Sequence, residues 1–215
     1  MRMDSAAADV EHVLPHTPAW RLARLVTEVL APTPVGVAAL AVVVLRSTRT
    51  LAEAAKWAGL SVLFVAIIPF GYLIAQVARG RITDIHVRRR EQRGAVFLVT
   101  LLSWLIGISL LYLLGSPHAI VALILIGVVA LIIFGAITRR FKISLHVGVL
   151  TGIVTVFVLL FGRGALALVP LIPLVMWARV ALRVHTLAQV TLGALFGCGV
   201  SAFAFAAFGR VLGIA

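Results

Sequence analysis

The sequence predicts an all-α protein, a polytopic transmembrane bundle of six or seven helices, on three observations. The 215 residues are 62% hydrophobic and 12% charged, with a mean hydropathy of +1.16, and so carry too little polar surface to cover a water-soluble core. Residues 95–114, 119–137 and 188–208 are apolar runs that approach or reach the roughly 20 residues needed to cross about 30 Å of hydrocarbon as a helix. These runs are continuously apolar and do not alternate, which argues against the lipid-facing strands of a closed barrel.

The elements follow in order. Residues 1–24 read as an N-terminal tail or interfacial segment, and 25–215 as one transmembrane helical domain. Around residues 20–30, Arg21, Arg24 and Glu28 share a helical stripe, as in an amphipathic lead-in lying at the interface. A first crossing is expected near 25–45; its most apolar part, 35–45, is short and is disturbed at its start by Pro32 and Pro34. The second spans about 57–78. A polar cluster, 79–93, precedes two crossings, about 94–114 and 118–137, joined by the turn Gly115-Ser116-Pro117. A second polar cluster occupies 138–146. The next hairpin runs about 147–161 and 165–178, turning at Gly162-Arg163-Gly164, and its second arm carries Pro170 and Pro173. A third cluster, 179–185, leads into the last crossing, where Gly193-xxx-Gly197 lets another helix approach closely.

Counting crossings gives the topology. Two crossings separate the first and second clusters, and two more separate the second and third, so all three emerge on one side. They hold eleven Lys and Arg residues, against five in the opposite loops and C-terminus. The positive-inside rule therefore expects them in the cytoplasm.

The first residues are polar and mixed in charge, so no cleaved signal peptide is expected. Cys198 is the single cysteine, which excludes an internal disulfide. The formal charge of +12 would suit nucleic acid in a soluble protein. Here no basic stretch is interleaved with exposed aromatics, and the arginines read as topology signals and partners for lipid phosphates.

The chemistry-bearing residues fall at helix ends. Lys142 and His146 are spaced i,i+4, as are His185 and Gln189, while His86 and Arg93 are seven apart; each pair shares one helical face. Three helix ends offering cations and imidazoles make a pocket for an anion with several oxygens, and a lipid phosphate is the natural candidate. Helix N-termini near His146 and His185 add partial positive charge. Taken singly, each of these residues reads more readily as a helix anchor or a headgroup-seeking side chain; the conjunction across three clusters is what favours phosphate. No metal-ligand spacing occurs, and no cofactor is expected.

The conjunction resembles the integral-membrane type 2 phosphatidic acid phosphatases, whose signatures are Lys-x6-Arg-Pro, Pro-Ser-Gly-His and Ser-Arg-x5-His-x3-Asp. Here the third looks like Ala178-Arg179-x5-His185-x3-Gln189, the second like Ile143-Ser144-Leu145-His146, and the first like His86-x6-Arg93-Gly94. The resemblance covers about residues 79–197. It implies that His185 is the nucleophile that becomes a phosphohistidine and that His146 is the general acid. It also implies that Arg93 and Arg179 stabilise the transferring phosphoryl group without a metal.

Four positions depart from the pattern. Gln189 stands for the Asp that orients the attacking imidazole, His86 for Lys, Leu145 for Gly and Ala178 for Ser. Lys142 can supply the cation that His86 lacks, and Ser144 is retained. Asp84 either pairs with a nearby arginine or replaces the missing carboxylate. Arg183 lies in the third cluster outside the motif. The expectation is a hydrolase of lipid or isoprenoid phosphates or diphosphates. The alternative is a non-catalytic phospholipid-binding or structural membrane protein that keeps the fold. A prenyl-diphosphate transferase is disfavoured, since magnesium-holding Asp-rich motifs are missing.

Overall fold

The computed structural model describes residues 17–84, 87, 92–138 and 140–213. His86 therefore lies outside the described residues, as does the side chain of Arg93. Among the described residues the chain is all helical: α1 (Pro18–Val29), α2 (Pro32–Ser47), α3 (Leu51–Val62), a π-turn (Leu63–Ile67), α4 (Ile68–Ala78), α5 (Arg93–Leu113), α6 (His118–Ile137), α7 (Leu145–Phe161), a 3-10 helix (Gly162–Leu168), α8 (Leu171–Ala181) and α9 (Leu187–Val211). Five stretches are long and apolar enough to cross a membrane: Leu51–Ala78, Gly94–Leu113, His118–Ile137, Leu145–Leu168 and Leu187–Val211. The bent pair α1–α2 makes a sixth if counted as one span. This is a multi-pass membrane architecture.

The expected first crossing is not one straight helix. Pro32 opens α2, and α1 meets it at 50°. Because α1 begins at Pro18, a boundary at residue 24 or 25 falls inside a helix. The Thr17 hydroxyl caps α1 by accepting from the Trp20 N–H at 3.2 Å. Arg24 pairs with Glu28 at 2.9 Å and lies over the Trp20 ring on the outer face. On the inner face Ala23 is fully buried, and Val26 and Leu30 join a core with Ile172, Met176 and Val180 of α8.

The second crossing starts earlier than expected, at Leu51, and is interrupted. Pro69 has no N–H, so the Val65 carbonyl one turn back lacks its helical donor. The π-turn adjusts the ladder there, and α5 supplies the missing donors. Trp104 Nε1 donates to the Val65 carbonyl at 3.0 Å, and the Ser103 hydroxyl donates to the Phe64 carbonyl at 2.6 Å. Gly107 accommodates Phe64, and Gly127 of α6 accommodates the Trp104 ring. The residue pairs 104–127 and 97–135 make α5 and α6 antiparallel.

The hairpin turning at Gly162 is present, with that residue at φ 71°. The 3-10 helix belongs to the Leu145–Leu168 stretch, and the return is made by α8, which is too short to cross alone, about 16 Å at 1.5 Å per residue. Pro170 sits at the junction, immediately before α8. Val175 of α8 packs on Val147, Leu150 and Val154 of α7.

The centre of the bundle is α7 against α9. These helices run parallel in one register: Ser144, Gly148 and Gly152 face Gly193, Gly197 and Ser201. A Cβ on Gly193 would lie 2.7 Å from the Ser144 carbonyl oxygen, one on Gly152 2.6 Å from Ser201 Oγ, and one on Gly197 would overlap the Gly148 backbone. Helix α6 runs antiparallel to both, through Ile126, Val156, Ala204 and Phe205. At its far end His118 Nδ1 lies 2.8 Å from the Leu212 carbonyl oxygen.

This register makes a direct prediction. Gly197→Ala forces the helices apart and lowers stability by about 1–3 kcal/mol. Gly199→Ala is neutral or stabilising, because nothing lies within 4 Å of the new methyl. Thermal unfolding of both variants in one detergent checks the pair; equal midpoints would overturn the register.

Candidate functional site

The chain folds its second and third polar clusters into one place. After α6 ends, the Phe141 N–H bonds the Ile137 carbonyl at 2.8 Å, and the chain turns so that Ile143 and Ser144 are buried while Phe141 and Lys142 are exposed. Ser144 is the N-cap of α7, and its own N–H donates to the Gln189 carbonyl of α9 at 3.3 Å. The close α7–α9 register permits that bond. It sets His146, half-buried in the first turn of α7, near the beginning of α9.

The third cluster is shaped by the end of α8. Arg183 adopts a left-handed conformation, φ 55°, where glycine is usual, and its N–H bonds the Val180 carbonyl at 2.9 Å. The reversed chain then lets the His185 N–H reach the Arg179 carbonyl at 3.3 Å. A capping box follows. The Gln189 N–H donates to Thr186 Oγ1 at 3.4 Å, and the Thr186 N–H donates to Gln189 Oε1 at 3.2 Å. Gln189 Oε1 also lies 3.0 Å from His185 Nδ1.

The electrostatics favour a neutral imidazole. Burial pushes His185 below its ordinary pKa, and the Arg179 and Lys142 charges push the same way; only the hydrogen bond to Gln189 opposes them. Two polar atoms here are enclosed without a hydrogen-bond partner among the described residues: Arg179 Nε and the Ser144 hydroxyl. Such groups cost free energy until a ligand or water satisfies them. Along α8 and the first residue of α9, Pro173, Met176, Trp177, Val180, Ala181 and Leu187 line an apolar surface cleft of about 560 Å³.

The structure therefore brings Lys142, Arg179 and Gln189 to His185 and joins Ser144 to Gln189, while His146 lies in the first turn of α7, two residues after Ser144. The described residues of the first cluster lie at this end of the bundle, because the Thr83 hydroxyl bonds Gln92 just before α5 and Phe97 at the start of α5 packs on Gly135 at the end of α6. His86 and the Arg93 side chain, both expected to hold phosphate, lie outside the described residues. Asp84 is half-buried, and the Thr83 hydroxyl donates to it at 3.4 Å. Arg183 is exposed and acts on the backbone path. Among the described residues no three of His, Cys, Asp and Glu group as metal ligands.

Sequence reasoning missed Thr186, although Thr-x-x-Gln before an apolar run is a legible capping signal. It also missed Ser144-xxx-Gly148-xxx-Gly152, the stripe that meets Gly193 and Gly197. Compared with known proteins, the chain matches no family model, no curated protein and no solved structure.

Proposed function

We propose that this chain is a membrane hydrolase that removes phosphate from a lipid or isoprenoid phosphate or diphosphate through a histidine nucleophile. The observation that carries this reading is the His185 site. A half-buried imidazole is biased to its neutral form and held at Nδ1 by Gln189, with Arg179 and Lys142 charges beside it. The motif resemblance to the type 2 phosphatidic acid phosphatases supplies the roles.

His185 Nε2, the ring nitrogen not engaged by Gln189, attacks phosphorus. The bond from phosphorus to the ester oxygen breaks, and His146 protonates the leaving oxygen. Arg179 and Arg93 hold the phosphoryl oxygens as charge develops, with Lys142 as the further cation. Water then hydrolyses the phosphohistidine and releases phosphate. The apolar cleft beginning at Leu187 gives the substrate's tail a path along α8 into the lipid. The cation bias of the three clusters favours a site on the cytoplasmic side.

A second reading, a phospholipid-binding protein without turnover, is favoured by one observation: Gln189 is neutral and cannot stabilise an imidazolium by charge. Phosphate release in detergent with EDTA, across prenyl and glycerolipid phosphates, separates the two. Hydrolysis is expected from the wild type and none from His185→Ala, while Arg179→Ala loses about 10²–10³-fold. Binding by folded protein without release from any lipid selects the second reading.

The pH dependence follows from the lowered pKa of His185. The nucleophile gains its lone pair as pH rises through that lowered value, so the ascending limb of kcat/KM lies below the ordinary imidazole range, about 6.5. Lys142→Met removes one charge that lowers it, and the limb moves to higher pH; added salt moves the wild type in the same direction. A limb unmoved by both changes would refute this assignment.

A further inference from the structure

We propose that Thr186 is a positioning residue for His185, acting through the side-chain amide of Gln189. The inference rests on the phosphatase reading only for its consequence in turnover; the geometry stands by itself.

The two ends of a glutamine amide are distinguished by what faces them. The Thr186 backbone N–H is a donor, 3.2 Å from the Gln189 side chain, so the amide atom facing it must be the oxygen. That same oxygen lies 3.0 Å from His185 Nδ1. Its two lone pairs are thereby assigned, one to Thr186 N–H and one to His185. An oxygen at that place admits only a protonated Nδ1, because an unprotonated Nδ1 would set lone pair against lone pair. The capping box thus selects the Nδ1–H tautomer and leaves the lone pair on Nε2, the atom that must attack phosphorus.

The Thr186 hydroxyl completes the device. By accepting from the Gln189 N–H at 3.4 Å it fixes the first turn of α9, and with it the rotamer that returns the amide to Thr186. A capping box takes Glu or Gln at its third position. Gln189 is therefore a residue that serves two partners at once, the Thr186 N–H and His185 Nδ1.

The test reads the tautomer directly. His-labelled protein in micelles gives imidazole ¹⁵N shifts, and comparison with His185→Ala assigns the signal among the six histidines. Wild type is expected with Nδ1 protonated and Nε2 bare. Thr186→Ala lowers the ratio of Nδ1–H to Nε2–H by about fivefold, the equilibrium equivalent of one lost cap bond. Thr186→Ser restores it, and Gln189→Leu, with no acceptor, removes the bias. Gln189→Glu keeps the box and raises the His185 pKa by adding a negative charge. A purely structural role for Thr186 would lower the unfolding midpoint of Thr186→Ala and leave the tautomer ratio unchanged, and that result overturns the proposal. So does a wild-type His185 protonated at Nε2. Phosphate release from the same samples keeps the two readings apart: an Nδ1–H imidazole that responds to Thr186 without hydrolysis upholds the positioning device and removes the enzyme.

Discussion

Two helices that touch backbone to backbone organise this molecule. In lipid the hydrophobic effect gives helices no reason to associate, so contact depends on dispersion, and dispersion depends on how closely the axes approach. Ser144, Gly148 and Gly152 on α7 and Gly193, Gly197 and Ser201 on α9 remove the side chains that would hold them apart. The parallel register that results brings the Ser144 N–H to the Gln189 carbonyl. Two helix N-termini then lie together, and the residues they carry share one end of the bundle. Helix α6 and the α8 arm pack around this pair.

The same closeness accounts for the polarity of the site. A half-buried histidine near two cations favours its neutral form, and a buried guanidinium nitrogen of Arg179 has no hydrogen-bond partner among the described residues. These groups sit at helix ends, where the chain leaves the apolar layer and charge is tolerated. A neutral amide beside the imidazole fits that setting. It orients the ring without adding a carboxylate that would compete for the Arg179 and Lys142 charges.

The α3–α4 and α5 hairpin obeys a different constraint. It buries little of itself, 11% and 17% of its most apolar windows, against 39%, 44% and 33% for the α6, α7 and α9 stretches. Its defining feature is local. Pro69 breaks a hydrogen-bond ladder in lipid, where a free carbonyl is expensive, and Ser103 and Trp104 of the neighbouring helix repair it. That repair fixes the α4–α5 register, and Trp104 seated on Gly127 passes it to α6.

Much of this was legible in the sequence, because membrane thickness acts on the chain one segment at a time. Continuous apolar runs located the crossings, and counting them placed residues 79–93, 138–146 and 179–185 at one end before any packing was known. Spacing also singled out His185 with Gln189, and their atoms lie 3.0 Å apart, but His185 precedes the N-cap Thr186, so the contact is made around the cap and not along a helical face. Other features required the partner. That α8 is too short to cross alone, that the first crossing bends, and that Gly193-xxx-Gly197 meets Ser144-xxx-Gly148-xxx-Gly152 depend on the faces two helices present to each other. So does the double duty of Gln189. A linear pattern records the lipid each helix must satisfy, but a glycine states only that something can approach. What approaches, and in which register, is decided when the second helix docks.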